Sequence, residues 1–236
     1  PFGSPSVDYS SQAPFHMAFM HESAIVNAAA PFLHRTWPDL RIAQYMALAR
    51  LAFATGHDYW GWRFTGWAMH YVQDLTQPYH ASVSPGNSAA RLIGINALAM
   101  VGLPKWKNEM IVLLSNRHLA MENYESALIR SAAKTRTPSV LGATLHDTSL
   151  DPHYPAWTDR YVRDVVSKEA YDAGAATDRS LVNTLPARYV SDPGFDFGVQ
   201  SAKIDLIKEL AAIDPAQRAH LDTTIAELLG HFGVHS

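Results

Sequence analysis

Apolar positions recur along this chain at intervals of three and four, the repeat of an amphipathic helix, and the two-residue alternation of a strand is scarce. The stretch up to Pro14 is rich in Ser, Pro and Gly and reads as loop. Helical patterns follow at about Ala18–Leu33 and at Leu40–Phe53, the latter with Leu40, Ala43, Met46, Ala47 and Leu51 in phase and Gly56 placed to stop it. From Trp60 to Leu75 the residues Phe64, Trp67, Ala68, Tyr71 and Val72 repeat the pattern, and Pro78 closes it. Ala89–Leu103 is apolar apart from Arg91, and Lys107–Arg130 is a further helix. A proline-punctuated region, Pro138 to Pro193, carries one helix near Trp157–Tyr171, and Ala202–Ile213 is helical. The closing helix has Asp214 as N-cap, Pro215 at its first position and Gly230 just past its end. The pattern predicts one all-α, multi-helix domain over residues 1–236, with no linker, repeat or low-complexity tract.

Composition narrows what such a domain does. With 47% hydrophobic residues in 236, a sizeable core is available without disulfide staples. Cysteine is absent, so any metal must be held by imidazole and carboxylate. A net charge of -3 argues against a broad basic surface for duplex nucleic acid. No apolar run is long enough to span a bilayer, and no signal peptide is visible.

Twelve histidines shift attention to metal chemistry. On the helix Trp60–Leu75, His70 and Asp74 are one turn apart on one face. His80 follows after Gln77-Pro78, in the string HYVQDLTQPYH. On Lys107–Arg130, His118 and Glu122 repeat the i, i+4 spacing, with His118 in phase with Ile111 and Leu114 on the stripe expected to face the core. Unpaired charge in such a stripe is costly, and coordination to a cation relieves the cost. Chance supplies roughly one His-to-acid pair at this spacing in a chain of this composition. Adding the proline and second histidine of HYVQDLTQPYH lowers the expectation to roughly three in a thousand, so the string is the informative element.

HYVQDLTQPYHAS, followed by HLAMENYE at His118–Glu125, resembles the metal-binding signature of the zinc-dependent phospholipases C, a superfamily that includes the fungal single-strand nucleases. The resemblance covers about Ala47 to Arg130. It implies the all-α phospholipase C fold, two to three zinc ions, and hydrolysis of a glycerophospholipid such as phosphatidylcholine to diacylglycerol and a phosphorylated headgroup. It assigns His70 and Asp74 to one zinc, with Asp74 bridging to the third, and His80, His118 and Glu122 to a second. The family also places an Asp and a His upstream on the first zinc, for which DYSSQAPFH offers Asp8 and His16 as ligands at a shorter gap than the family's, with Asp8 also as general base and Tyr9 as part of an aromatic box for a quaternary ammonium. Only PFGSPSV stands ahead of Asp8 here, so either the N-terminal Trp and neighbouring His that hold the family's third zinc lie ahead of Pro1 or the third site differs, with His21 and Glu22 as the near candidates. The implied setting is secreted or periplasmic, with phospholipid at a membrane or micelle surface as partner. Two other readings share the residues: a zinc-dependent single-strand nuclease or nucleotidase, and a non-catalytic helical protein with structural metal.

The remaining residues are read more plainly. Trp60, Trp62 and Trp67 are expected in the core, ahead of walls for a headgroup pocket. Residues 89–107, which lengthen the segment between His80 and His118 relative to the familiar bacterial phospholipases, are expected as a core helix, with a lid or interfacial anchor as the alternative. His57 and Asp58 form a helix-start pair, and His146, His153, His220, His231 and His235 are expected at the surface.

Overall fold

The computed structural model describes residues 13–136 and 138–236, and Asp8 and Tyr9 lie outside them. The protein is all-α, with no strand among the described residues. These residues fall into two compact units that the chain visits in turn: residues 13–83, 153–172 and 235–236 in the first, and Ser84–Pro152 with Ala173–Val234 in the second.

The first unit is built on a helical hairpin. Helices α1 (Ala13–His16) and α2 (Ala24–Ala29) are short, and Ser23 caps α2 through its side chain. The continuous helix expected over Ala18–Leu33 is therefore broken, and Ala30-Pro31 supplies the reason: proline fixes its own φ and disfavours helical geometry in the residue before it. Helices α3 (Pro38–Ala54) and α4 (Asp58–Thr76) turn at Gly56, whose φ of 74° is left-handed and suits glycine. Ile42, Ala49 and Ala52 of α3 and Gly61, Ala68, Val72 and Leu75 of α4 are among the buried residues of the pair, and the glycine and alanines let the two axes approach. Helix α5 (Pro78–Ala81) is one turn and is wholly buried. A π-helical turn at Val162–Val166 packs on α4 and leads into α9 (Ser167–Thr184), which divides between the units after Asp172.

The hairpin corrects one expectation. Trp60, Trp62 and Trp67 are exposed, not core. The stripe that α4 buries consists of its alanine, valine and leucine, and the indoles stand beside it. Trp60 stacks on Phe64, and Trp67 packs against Tyr45 and Phe64.

The second unit is organised by α7 (Lys105–Thr135), preceded by α6 (Ala89–Met100). Helices α10 (Ala187–Val190), α11 (Phe197–Gln200) and α12 (Leu206–Leu210) pack on α7. Asn116 anchors this arrangement by donating to the Phe195 carbonyl and accepting from the Phe197 N–H. Arg117 forms a part-buried ion pair with Asp178, one guanidinium nitrogen donating to both carboxylate oxygens, and also donates to the Val190 carbonyl. Helices α8 (Val140–Leu145) and α13 (Pro215–Val234) pair with each other. Gly230 does not end α13, which runs on to Val234. A β-carbon at Gly233 would lie 2.9 Å from the Leu145 carbonyl oxygen, so the absence of a side chain there admits α8. The core expectation for residues 89–107 holds only at the base of α6: Leu92 is buried, whereas Met100, Val101, Leu103 and Trp106 are exposed.

Candidate metal centre

Three segments of the first unit converge on one carboxylate. His70 and Asp74 lie one turn apart on α4, with His70 Nε2 3.5 Å from Asp74 Oδ2. His16 ends α1, and the backbone around it is pinned twice: the Trp37 N–H donates to the Pro14 carbonyl and the Ala18 N–H to the His80 carbonyl. Tyr71 stacks on the His16 ring at 5.4 Å between centroids, and His70 meets it edge-on at 5.1 Å. So held, His16 Nδ1 lies 2.7 Å from Asp74 Oδ2 and 3.3 Å from His70 Nε2.

His80 reaches the other oxygen of the same carboxylate, with Nδ1 3.4 Å from Asp74 Oδ1. The Gln-Pro dipeptide explains how. Gln77 is extended, as a residue before proline prefers, which ends α4. Pro78 starts α5, and the Gln77 side chain accepts from the Tyr79 N–H at 2.6 Å, satisfying an otherwise orphaned donor of the buried turn. The one-turn helix α5 then carries His80 back toward Asp74.

The set of His16, His70 and Asp74 can hold a metal ion: their ligand atoms all lie within 4.8 Å of one another. Tetrahedral zinc with bonds of about 2.0–2.1 Å would separate its donors by roughly 3.3 Å. The 3.3 Å and 3.5 Å edges meet that spacing, and the 2.7 Å edge is a hydrogen bond whose proton a cation would displace. The donor chemistry, two imidazoles and a carboxylate with no thiolate, suits zinc among several divalent ions.

In the second unit, His118 Nε2 of α7 lies 2.9 Å from Glu122 Oε1. The stripe expected to bury His118 is only partly inward, since Ile111 is exposed and His118 itself is half-buried. Glu125, one turn further on, is pushed up to about 7 by burial, with the charge of Glu122 adding to the rise.

Other residues are placed by simpler needs. His21 Nε2 lies 2.8 Å from the Arg163 carbonyl, and Glu22 accepts from the Ser82 hydroxyl and the Val83 N–H. Both pin loops of the first unit and stand apart from the His16 cluster. His57 is the N-cap residue of α4, next to Asp58 in its first turn. His235, expected at the surface, is buried: Nε2 lies 2.9 Å from Glu169 Oε2 and Nδ1 3.1 Å from the Tyr161 hydroxyl. Tyr154 donates to the other Glu169 oxygen, and burial followed by that bond raises its pKa. Nothing local signals this network, because 66 positions separate Glu169 from His235.

Comparison of the chain with protein-family models, with curated proteins and with solved structures gives no match in any of the three.

Proposed function

We propose that the protein is a zinc-dependent phosphodiesterase of the phospholipase C type, acting on a glycerophospholipid such as phosphatidylcholine in a secreted or periplasmic setting. The observation that carries the reading is the meeting of His16 Nδ1, His70 Nε2 and Asp74 Oδ2, from segments more than fifty positions apart, within a signature of the same residue types and spacing. In this reading His16, His70 and Asp74 hold one zinc. Zinc, when bound, supplies a Lewis acid to the phosphodiester oxygens and lowers the pKa of water toward neutrality. Asp74 uses its second oxygen toward His80, which fixes the carboxylate plane. Tyr71, stacked on His16, fixes the imidazole. Asp8 takes the proton of the attacking water and Tyr9 faces a quaternary ammonium, as the resemblance assigns them. Hydrolysis breaks the bond from phosphorus to the glycerol oxygen, adds hydroxyl to phosphorus and returns a proton to the diacylglycerol leaving group. The resemblance extends the proposal to a second zinc.

Protein purified without chelator is expected to carry zinc by elemental analysis. Chelation should abolish release of phosphocholine from phosphatidylcholine, and added zinc should restore it. Less than one equivalent of any transition metal after zinc addition would remove the basis of the proposal. Faster turnover of single-stranded DNA than of phosphatidylcholine would move it to the nuclease branch.

A further inference from the structure

The connection between α6 and α7 is the most apolar exposed feature of the second unit. Met100 is 88% and Val101 73% exposed, and Leu98, Leu103 and Trp106 are exposed beside them. Single exposed apolar side chains are ordinary, whereas a contiguous run of this kind marks an interaction surface. Its charge is one-sided. No acidic residue occurs between Asp74 and Glu109, while Arg91, Lys105 and Lys107 do, in a chain whose net charge is -3. Lys105 reaches Glu109 only at 3.8 Å and is itself 76% exposed, which leaves its charge available to other anions.

The backbone of the turn is closed upon itself. Gly102, with φ of 88°, occupies the left-handed position that ends α6. The Leu103 N–H donates to the Leu98 carbonyl at 2.9 Å, the Gly102 N–H to Ala99 and the Val101 N–H to Ala97 and Leu98. Pro104 has no N–H. No backbone donor from Val101 to Pro104 is therefore left for water, which removes a main cost of taking a turn into an apolar medium. The next donors belong to Lys105, Trp106 and Lys107, whose side chains are those that favour the headgroup layer.

We propose that this tip, Leu98 to Lys107, is a peripheral anchor that seats in an anionic phospholipid bilayer: Met100, Val101 and Leu103 enter the acyl boundary, Trp106 lies among the headgroups, and Lys105 and Lys107 meet lipid phosphates. A second copy of the chain is the poorer occupant, since two such tips would bring like charges together. The anchor is peripheral, as none of the described helices is long and apolar enough to cross a membrane. It stands independently of the phosphodiesterase reading.

Flotation of the whole protein with vesicles tests this, using phosphatidylcholine alone and phosphatidylcholine mixed with phosphatidylglycerol. The wild type should prefer the anionic vesicles, and salt should weaken that preference. Met100→Asp with Val101→Asp should lower partitioning by about a hundredfold. Lys105→Glu with Lys107→Glu, at a helix N-terminus that tolerates acids, should lower binding to the anionic vesicles by roughly thirtyfold while leaving binding to phosphatidylcholine nearly unchanged. Met100, Val101 and Lys105 are exposed and Lys107 is half-buried, so helical content, thermal midpoint and zinc content should match the wild type. Trp106 fluorescence should be quenched by brominated lipid, and the quenching lost in Trp106→Phe. Wild-type binding unmoved by either double substitution overturns the anchor. So does a wild type that ignores vesicles but forms a dimer that Met100→Asp with Val101→Asp dissociates.

Discussion

Helices α4 and α7 each carry a histidine and a carboxylate four residues apart, and the two pairs are inverted in burial. On α4 the carboxylate is inside and the imidazole outside: Asp74 is 11% and His70 51% exposed. On α7 the imidazole is the covered partner, with His118 at 15% and Glu122 at 42%. The α4 pair is open at 3.5 Å and its carboxylate is shared with His16 and His80, whereas the α7 pair closes at 2.9 Å. A buried carboxylate carries a desolvation cost that several donors or a cation must offset. A carboxylate that is 42% exposed keeps more of its water and carries a smaller desolvation cost. Equal spacing in sequence thus yields two pairs whose carboxylates differ in exposure and in the desolvation cost they carry.

The largest expected effect breaks the α4 side. Asp74→Asn keeps the shape of the side chain and removes the charge on which three imidazoles converge. Removing an outer-shell partner of a metal ligand costs about 10–100-fold in affinity, so this substitution should weaken zinc binding by at least roughly a hundredfold. Isothermal titration with zinc reads the change, and phosphodiester turnover should fall with it. His146→Ala is the control, because His146 only ends α8, and it should titrate like the wild type. Unaltered zinc binding in Asp74→Asn would leave the convergence without a chemical role.

A smaller effect sharpens the α7 side through pH. Glu125 has a folded-state pKa of about 7, above the ordinary 4.5, owing first to burial and then to Glu122. Between these two values the folded state holds the proton more often than the unfolded chain, so stability falls as pH rises through that window. The full shift corresponds to several kcal/mol, and solvent screening at a partly exposed site reduces it to about 2 kcal/mol. Urea unfolding of the zinc-free protein at pH 4.5 and pH 8 should show the decline, and Glu125→Gln should flatten it. A slope that survives the substitution would assign the titration elsewhere.

The smallest effect concerns Glu122 itself. His118 is 15% and Glu122 42% exposed, and a part-exposed i, i+4 pair contributes up to about 1 kcal/mol, so Glu122→Gln should change the stability of the zinc-free protein by less than about 1 kcal/mol. A loss of 2 kcal/mol or more in chemical denaturation would mean that the α7 pair is as integrated as the α4 one.

Much of the helical scaffold was legible because it is local. The apolar spacing of Leu40–Phe53 and Trp60–Leu75 anticipates α3 and α4, and Gly56 and Pro78 anticipate their ends. The i, i+4 pairs were legible for the same reason, since helix geometry alone sets that spacing. The errors are tertiary. Trp60, Trp62 and Trp67 have the hydrophobicity of core residues, but the hairpin buries alanines and valine, because small side chains permit the closest contact between α3 and α4. Gly230 looked like a helix stop, yet α13 continues past it, with α8 packed against its glycine-bearing end. His235 has no neighbour in sequence that forecasts Glu169 and Tyr161.

By itself, then, the sequence determined the all-α class, the long helices and the two His-carboxylate pairs, all properties of spacing within a few turns. The resemblance anticipated His16 beside His70 and Asp74, whereas tertiary structure alone decided that Asp74 is 11% and Glu122 42% exposed, and that Met100 and Val101 stand exposed. The physical reason is range. Hydrogen-bonded helix geometry acts over three or four residues, whereas burial depends on which distant segment arrives to cover a side chain.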